Sequence, residues 1–172
     1  MLNIHQANKR ALDFSNQQIP HMKNFSALLG GFGIHNFHYV RHYYDGRFLH
    51  LVDNKDLNEF YFEKITQPTP QLMNIIYSCY TDNMWPKENL DLLFQWLKEH
   101  NMANGYAISI FREEYYEAWS FGSNNDNNNA YNAYSIFRPD LLRFIKYFHM
   151  QARDILDQST EHLGCFKDFK ME

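Results

Sequence analysis

Cysteine is nearly missing from this chain. Cys79 and Cys165 are its only two, far apart and without the paired spacing of a zinc site or a disulfide framework. A reducing compartment follows, and the chain is read as cytoplasmic. Long apolar runs are missing too. No stretch approaches the roughly 20 residues of a spanning helix, and the start, MLNIHQANKRALDF, lacks a basic segment followed by an apolar one. Neither a membrane partner nor an export signal is expected. Positive charge is in short supply: 16 Lys and Arg stand against 20 Asp and Glu, for a net charge of -4 and a pI near 6.1. That balance offers no electrostatic footprint for nucleic-acid phosphates.

Motifs of catalysis are absent as well. There is no nucleophile elbow and no His-Glu-x-x-His, and Gly30-Gly31-x-Gly33 lacks the strand-to-helix context of a phosphate-cradling loop. Those glycines fit the end of a helix and the start of a strand. Glu113-Glu114 falls at a predicted hairpin tip, where a solvated turn is the plainer reading than a carboxylate pair. The chain is not read as an enzyme, and no cofactor is expected.

Rings are what the sequence has in quantity. Its 172 residues include 15 Phe, 12 Tyr and 3 Trp, and 45% are hydrophobic, enough for one globular domain over residues 1–172 with a polar tail from about residue 159. Ile4, Ala7, Ala11, Leu12 and Phe14 repeat weakly at helical spacing, and Met22, Phe25 and Leu28 continue until Gly30-Gly31. IHNFHYVRHYYDGRFLHLVD then reads as a hairpin about a two-residue Asp45-Gly46 turn. Pairing Tyr44 with Arg47 puts Phe37, Tyr39, Arg41 and Tyr43 on one face with Phe48, His50 and Val52. His38 and His42 take the other face, with Val40, Leu49 and Leu51.

Asn54 can cap a helix through Leu57, Phe60, Tyr61 and Ile65, closed by Gln67-Pro68-Thr69-Pro70. NIIYSCYTD fits a strand or a helix face. Pro86 is placed to start a helix carrying Leu90, Leu93, Phe94 and Leu97, which Asn104-Gly105 stops. Two strands follow, Gly105 to Arg112 and Tyr115 to Gly122. Asp126 can cap a last helix that Pro139 should break or kink. Beyond it Leu141, Phe144, Ile145, Phe148, Ala152, Ile155 and Leu156 form an apolar stripe, either core or a dimer seam. Asn124 to Asn129 is a low-complexity patch, and no repeat is present.

The second hairpin carries the informative pattern. With Glu113-Glu114 as its turn, Tyr106, Ile108 and Ile110 share a face with Glu117, Trp119 and Phe121. The opposite face is bare: Ala107, Ser109, Ala118, Ser120 and Gly122, with Phe111 and Tyr116 only near the turn. Such a face either lets a helix approach closely or leaves volume for a ligand, with two hydroxyls at hand. Trp85, Phe94, Tyr106, Trp119 and Tyr131 are aromatic candidates for lining a pocket, though their spacing suits a core equally. A metal site on His35, His38, His42 and His50 needs converging imidazoles, and this register splits the set between two faces.

NGYAISIF followed by YYEAWSFGSNNDN resembles the N-terminal sensor domain of LuxR-type bacterial transcription regulators, the autoinducer-binding, PAS-like α-β-α fold. Gly105, Ser109, Ser120-Phe121-Gly122 and Asp126-Asn127 stand where that family has a Gly-x-x-Ser strand, a Ser-Phe-Ala-like strand end and an Asp-Asn pair before a helix. Ser109 is one residue later than the common spacing. FGIHNFHYVRHYYDGRFLHLVD also looks like the family's first hairpin, so the resemblance runs from about Met22 to Leu156.

It implies an α+β sandwich with a central antiparallel sheet of about five strands and helices on both faces. It also implies a small-molecule signal bound between the sheet and one helical layer. The residues it implies for that pocket are Ser120, Ser109, Ala107 and Ala118, with Tyr39, Tyr61, Trp85 and Phe94 as rings. Homodimerisation through helices is implied too, and contact with DNA only through a helix-turn-helix domain absent from this chain, which ends at Glu172. The Trp, Tyr and Asp-Pro set with which members grip acyl-homoserine lactones is missing from NKDLNEFYFEKITQPTPQ, so the signal stays unnamed. The alternatives are an interaction module of the same fold without a ligand, and a small metal-dependent enzyme built on His38 and His42.

Overall fold

The computed structural model describes residues 4–65, 82–88 and 90–163. A helix, α1 (Ile4–Leu29), runs unbroken through Pro20 and ends in a single 3-10 turn over Gly30–Phe32, with Gly33 in the left-handed region at φ 72°. Then come β1 (Asn36–Tyr43), β2 (Phe48–Val52), α2 (Lys55–Lys64), β3 (Asp82–Met84), α3 (Leu92–Glu99), β4 (Asn104–Phe111), β5 (Tyr115–Ser123), α4 (Ala130–Gln151) and α5 (Arg153–Leu163). The strands form one antiparallel sheet in the order β2-β1-β5-β4-β3. Helices cover both faces, so the α+β sandwich implied by the sequence is the observed architecture. Gln67-Pro68-Thr69-Pro70 and most of NIIYSCYTD lie outside the described residues.

Two separate cores fill the layers. α1, α4 and α5 press Phe14, Met22, Phe25, Leu141, Phe144 and Phe148 onto the sheet face that bears Phe37, Tyr39, Leu49, Leu51, Tyr106, Ile108, Trp119 and Phe121. α2 and α3 cover the other face with Leu57, Tyr61, Leu93, Phe94 and Leu97, meeting Phe48, Val52, Trp85 and Ala107. Strand alternation sorts each residue into its layer. The stripe beyond Pro139 is therefore interior to one chain, with Leu141, Phe144, Ile145, Phe148, Ala152 and Leu156 all buried.

The first hairpin corrects the expected register. Tyr43 N–H donates to Arg47 O at 2.9 Å and Gly46 N–H to Tyr43 O at 3.0 Å, which makes a three-residue loop of Tyr44, Asp45 and Gly46. A two-residue type I′ turn needs positive φ at both central positions. Gly46 has it, at 91°, but Asp45 is not among the positive-φ residues. Instead the Asp45 carboxylate grips Arg47, accepting from its backbone N–H at 3.1 Å and its Nε at 2.7 Å. The one-residue slip turns every side chain of β2 over. Val40 now faces His50 and His42 faces Phe48, so His50 joins His38 and His42 while Leu49 and Leu51 join Tyr39.

The second hairpin has the expected register, with Ala107 opposite Ser120 and Ser109 opposite Ala118. Asn54 caps α2 as expected, its side chain accepting from Leu57 N–H.

Three helix boundaries differ from expectation. α3 starts at Leu92 and not at Pro86, because Asp91 accepts from Phe94 N–H at 3.1 Å and so supplies the cap. Its end is a Schellman turn: Asn101, at φ 59°, donates to Lys98 O, and Met102 N–H reaches Leu97 O. α4 is continuous through Pro139, and Asp126 does not cap it, since the helix begins at Ala130 after Asn129. A mid-helix proline costs about 3 kcal/mol, whereas burying Tyr134, Leu141, Phe144, Ile145 and Phe148 stabilises by about 1.5–3 kcal/mol each, so the helix persists.

The asparagine patch is a structural knot. Asn104 Nδ2 donates to the carbonyls of Asn124 and Asn125, Asn125 Oδ1 accepts from Ala103 N–H, and Asn125 Nδ2 reaches Lys98 O. It ties the β5-α4 loop to the end of α3.

Candidate functional site

The bare face of the second hairpin is covered in two ways. At one end the Trp85 indole lies flat on Gly105, so close that a Cβ there would fall 2.0 Å from its ring, and the ring's far edge reaches Gly122. Trp85 N–H donates to Gly105 O at 2.8 Å, which holds the indole's backbone in place. Farther along, the short side chains leave a partly open cavity of about 40 Å³. Ala107, Ser109, Ala118 and Ser120 form its floor, Leu93, Phe94 and Leu97 of α3 its roof, and His38, Val40, His50, Tyr61 and Trp85 its sides.

The sequence-predicted site thus divides cleanly. Ser120, Ser109, Ala107, Ala118, Tyr61, Trp85 and Phe94 come together around this one cavity. Tyr39 does not. It points to the opposite face, where its hydroxyl donates to Glu117, accepts from Arg41 Nε at 2.9 Å, and belongs to a buried network with an Arg41-Glu117 ion pair at 2.9 Å. Burial and the Glu117 carboxylate hold the Tyr39 phenol protonated, its pKa well above the usual value. Tyr106 and Trp119 also lie in that other core, and Tyr131 lines an outer basin.

His38, His50, Val40, Leu93 and Leu97 line the cavity without having been singled out as pocket residues. His50 was hidden by the register, and His38 was weighed only as a metal ligand. Burial lowers the pKa of His38 to about 4 and of His42 to about 3, and lowers that of His50 further below the usual range with help from His38. All three are neutral at pH 7.

Their ring nitrogens are engaged differently. His42 Nε2 is 2.6 Å from Tyr61 Oη. His50 Nδ1 lies 3.1 Å from Asn58 Oδ1, and Asn58 Nδ2 donates to Asn16 Oδ1 at 2.9 Å. With the Asn58 amide turned so, its oxygen toward the ring, Nδ1 of His50 is the protonated nitrogen and Nε2 an acceptor. Nε2 of His50 and of His38 are both buried and without a partner among the described residues. No three His, Cys, Asp or Glu side chains among the described residues are placed to hold a metal, and the imidazoles that share this face stack or hydrogen-bond instead.

Outside Phe94 lies a second, polar basin of about 280 Å³ with Pro86, Lys87, Leu90, Lys98 and Asn104 in its walls. The Phe94 ring belongs to both linings.

No family model and no curated protein matches the sequence. Solved structures do. A crystal structure of the N-acylhomoserine lactone dependent LuxR family transcription factor CepR2 from Burkholderia cenocepacia superposes with a TM-score of 0.64 at 10% identity, over 87% of this chain and 98% of that one. The fold is that of a LuxR-family ligand-binding domain. The VqsR ligand-binding domain from Pseudomonas aeruginosa gives a TM-score of 0.50 at 12% identity, covering 79% of this chain and 92% of that one. No described helix of the LuxR-like fold here is long and apolar enough to cross a membrane.

Proposed function

We propose that this chain is the ligand-sensing and dimerisation domain of a LuxR-type transcription regulator, taking a small apolar or amphipathic signal between the sheet and the α2-α3 layer. The observation that carries this reading is the cavity: seven side chains named from sequence surround one apolar space, two serines among them, and two imidazoles in its wall carry an Nε2 without a partner among the described residues. A buried polar atom without a partner costs about 1–3 kcal/mol, a penalty that a matching ligand removes. Contact with DNA belongs to a helix-turn-helix domain outside this sequence, and dimerisation to the helical surface, where Leu28, Tyr147 and Met150 are exposed.

Size sets the mechanism. About 40 Å³ holds a few waters at most, so a signal molecule needs the wall to move. Phe94 is the side chain whose rotation joins the cavity to the outer basin, and binding then favours the packing in which α3 stands away from the sheet. The test is Ser120→Phe, which places a ring on the cavity floor. It abolishes ligand-dependent thermal stabilisation while the far-ultraviolet circular dichroism spectrum stays unchanged; an unaltered ligand response excludes this cavity. The small volume also favours a second reading, an interaction module of this fold that binds no ligand. Native mass spectrometry of the purified chain separates the two, since retained small-molecule mass excludes the module.

A further inference from the structure

Resting on the ligand-sensing reading, we infer that the signal is an uncharged molecule with a hydroxyl group, whose O–H donates to Nε2 of His50. The chemistry follows from the polar atoms that the fold leaves without a partner among the described residues. His50 is fully buried, and its Nδ1 faces Asn58 Oδ1, the amide of which donates in turn to Asn16. The remaining nitrogen can only accept. A ketone, ester or ether brings no donor to it, and so adds nothing to an acceptor that has no partner among the described residues.

His38 sharpens the choice. Its Nε2 is also buried and without a partner among the described residues, and its ring stands edge-on to His50 with centroids 5.7 Å apart. Both rings line the same cavity, on the sheet face that α2 and α3 cover. A hydroxyl donates once and accepts as well, so the same atom answers His50 as donor and His38 as acceptor in the latter's Nε2–H tautomer. An ammonium group donates too, but the site has no facing carboxylate among its lining residues, and burial in such surroundings penalises charge. The walls around the pair are Trp85, Tyr61 and Phe94, with His50 stacked on Tyr61 at 4.1 Å. Flat or apolar carbon skeletons fit those walls, so the class is a phenol or an apolar alcohol.

The matched probes are 4-ethylphenol and 4-ethylanisole, which differ by methylation of the one oxygen that would donate. Dissociation constants are measured by tryptophan fluorescence and by thermal shift for the wild-type chain and for His50→Leu. Nitrogen-15 spectra of histidine-labelled protein follow Nε2 of His50 directly. The expected result is at least about tenfold tighter binding of the phenol by wild type, which is one buried hydrogen bond. His50→Leu loses that preference while still binding the anisole, and the His50 Nε2 resonance moves upfield only with the phenol.

Equal affinity for the two probes, or a preference that survives His50→Leu, overturns the hydroxyl assignment and leaves the sensing cavity standing. Binding of neither probe to the wild-type chain overturns the assignment, and the sensing reading then falls separately if native mass spectrometry also finds no retained molecule. Should His50→Leu fail to fold, the nitrogen-15 spectrum of the wild-type chain decides: an Nε2 of His50 that carries the proton overturns the tautomer argument.

Discussion

Replacing Gly105 with Ala tests the physical basis of the site, because Trp85 can lie flat on the sheet only where no Cβ stands. The added carbon would sit 2.0 Å from Cδ2, 2.1 Å from Cε3 and 2.3 Å from Cε2 of the indole. Carbon atoms rest about 3.5–4.0 Å apart, so the ring has to retreat by about 1.5 Å or more. It cannot simply slide, since Trp85 N–H is bonded to Gly105 O at 2.8 Å and the ring's far edge already lies against Gly122.

Overpacking of this kind costs about 1–3 kcal/mol. Removing glycine's freedom in the unfolded chain returns about 0.4–1 kcal/mol, as the φ of Gly105 is not positive. A net loss of about 1–2 kcal/mol results, or a fall in Tm of about 2–8 °C for a chain of this size. Urea denaturation gives the stability, and the indole N–H resonance of Trp85, assigned through Trp85→Phe, reports the ring's displacement. Gly122→Ala is the control, its nearest contact being Asn36 Cβ at 3.2 Å, and should cost less. A Gly105→Ala chain at least as stable as wild type with an unshifted Trp85 resonance would refute the argument.

Acid should weaken the fold through its buried imidazoles. The histidines that are neutral in the fold, at about 4 for His38 and about 3 for His42, take up protons near 6.5 once unfolded, so stability is full above pH 6.5 and falls continuously down to those folded values. Between pH 7.5 and 5.5 each contributes a loss of about 1.4 kcal/mol, read from urea midpoints, and His42→Phe should flatten the slope. On the opposite face, Glu117→Leu strands the buried Arg41 guanidinium and removes the acceptor of Tyr39, a loss of about 3–5 kcal/mol measurable by thermal denaturation, whereas Arg143→Ala, which breaks the exposed pair with Asp140, should cost under about 1 kcal/mol.

Much of this architecture was readable because it is written in local alternation. The face of Ala107, Ser109, Ala118 and Ser120 followed from strand periodicity and the Glu113-Glu114 turn, and Asn54 announced its helix through its own side chain. Tyr39 went astray for lack of a local signal: an aromatic residue at a strand position looks alike on either face, and only the pairing of β1 with β5, which sets it opposite Trp119, turns it to the α4 side, where its hydroxyl meets Glu117. Proline at 86 and 139 misled for a related reason. Its backbone rule is real, but a capping carboxylate at Asp91 and a wall of buried rings along α4 each outweighed it.

The amino-acid order was enough to establish an antiparallel sheet with one bare face, since side-chain alternation along a strand leaves no other outcome. It could not place His50. That depended on whether Asp45 would accept a left-handed backbone or bind Arg47 instead, a competition worth little locally but amplified by the strand, because a shift of one residue carries an entire row of side chains through the sheet. The inner chemistry of the cavity, with two imidazoles meeting on one side, exists only because the assembled layers resolved that choice.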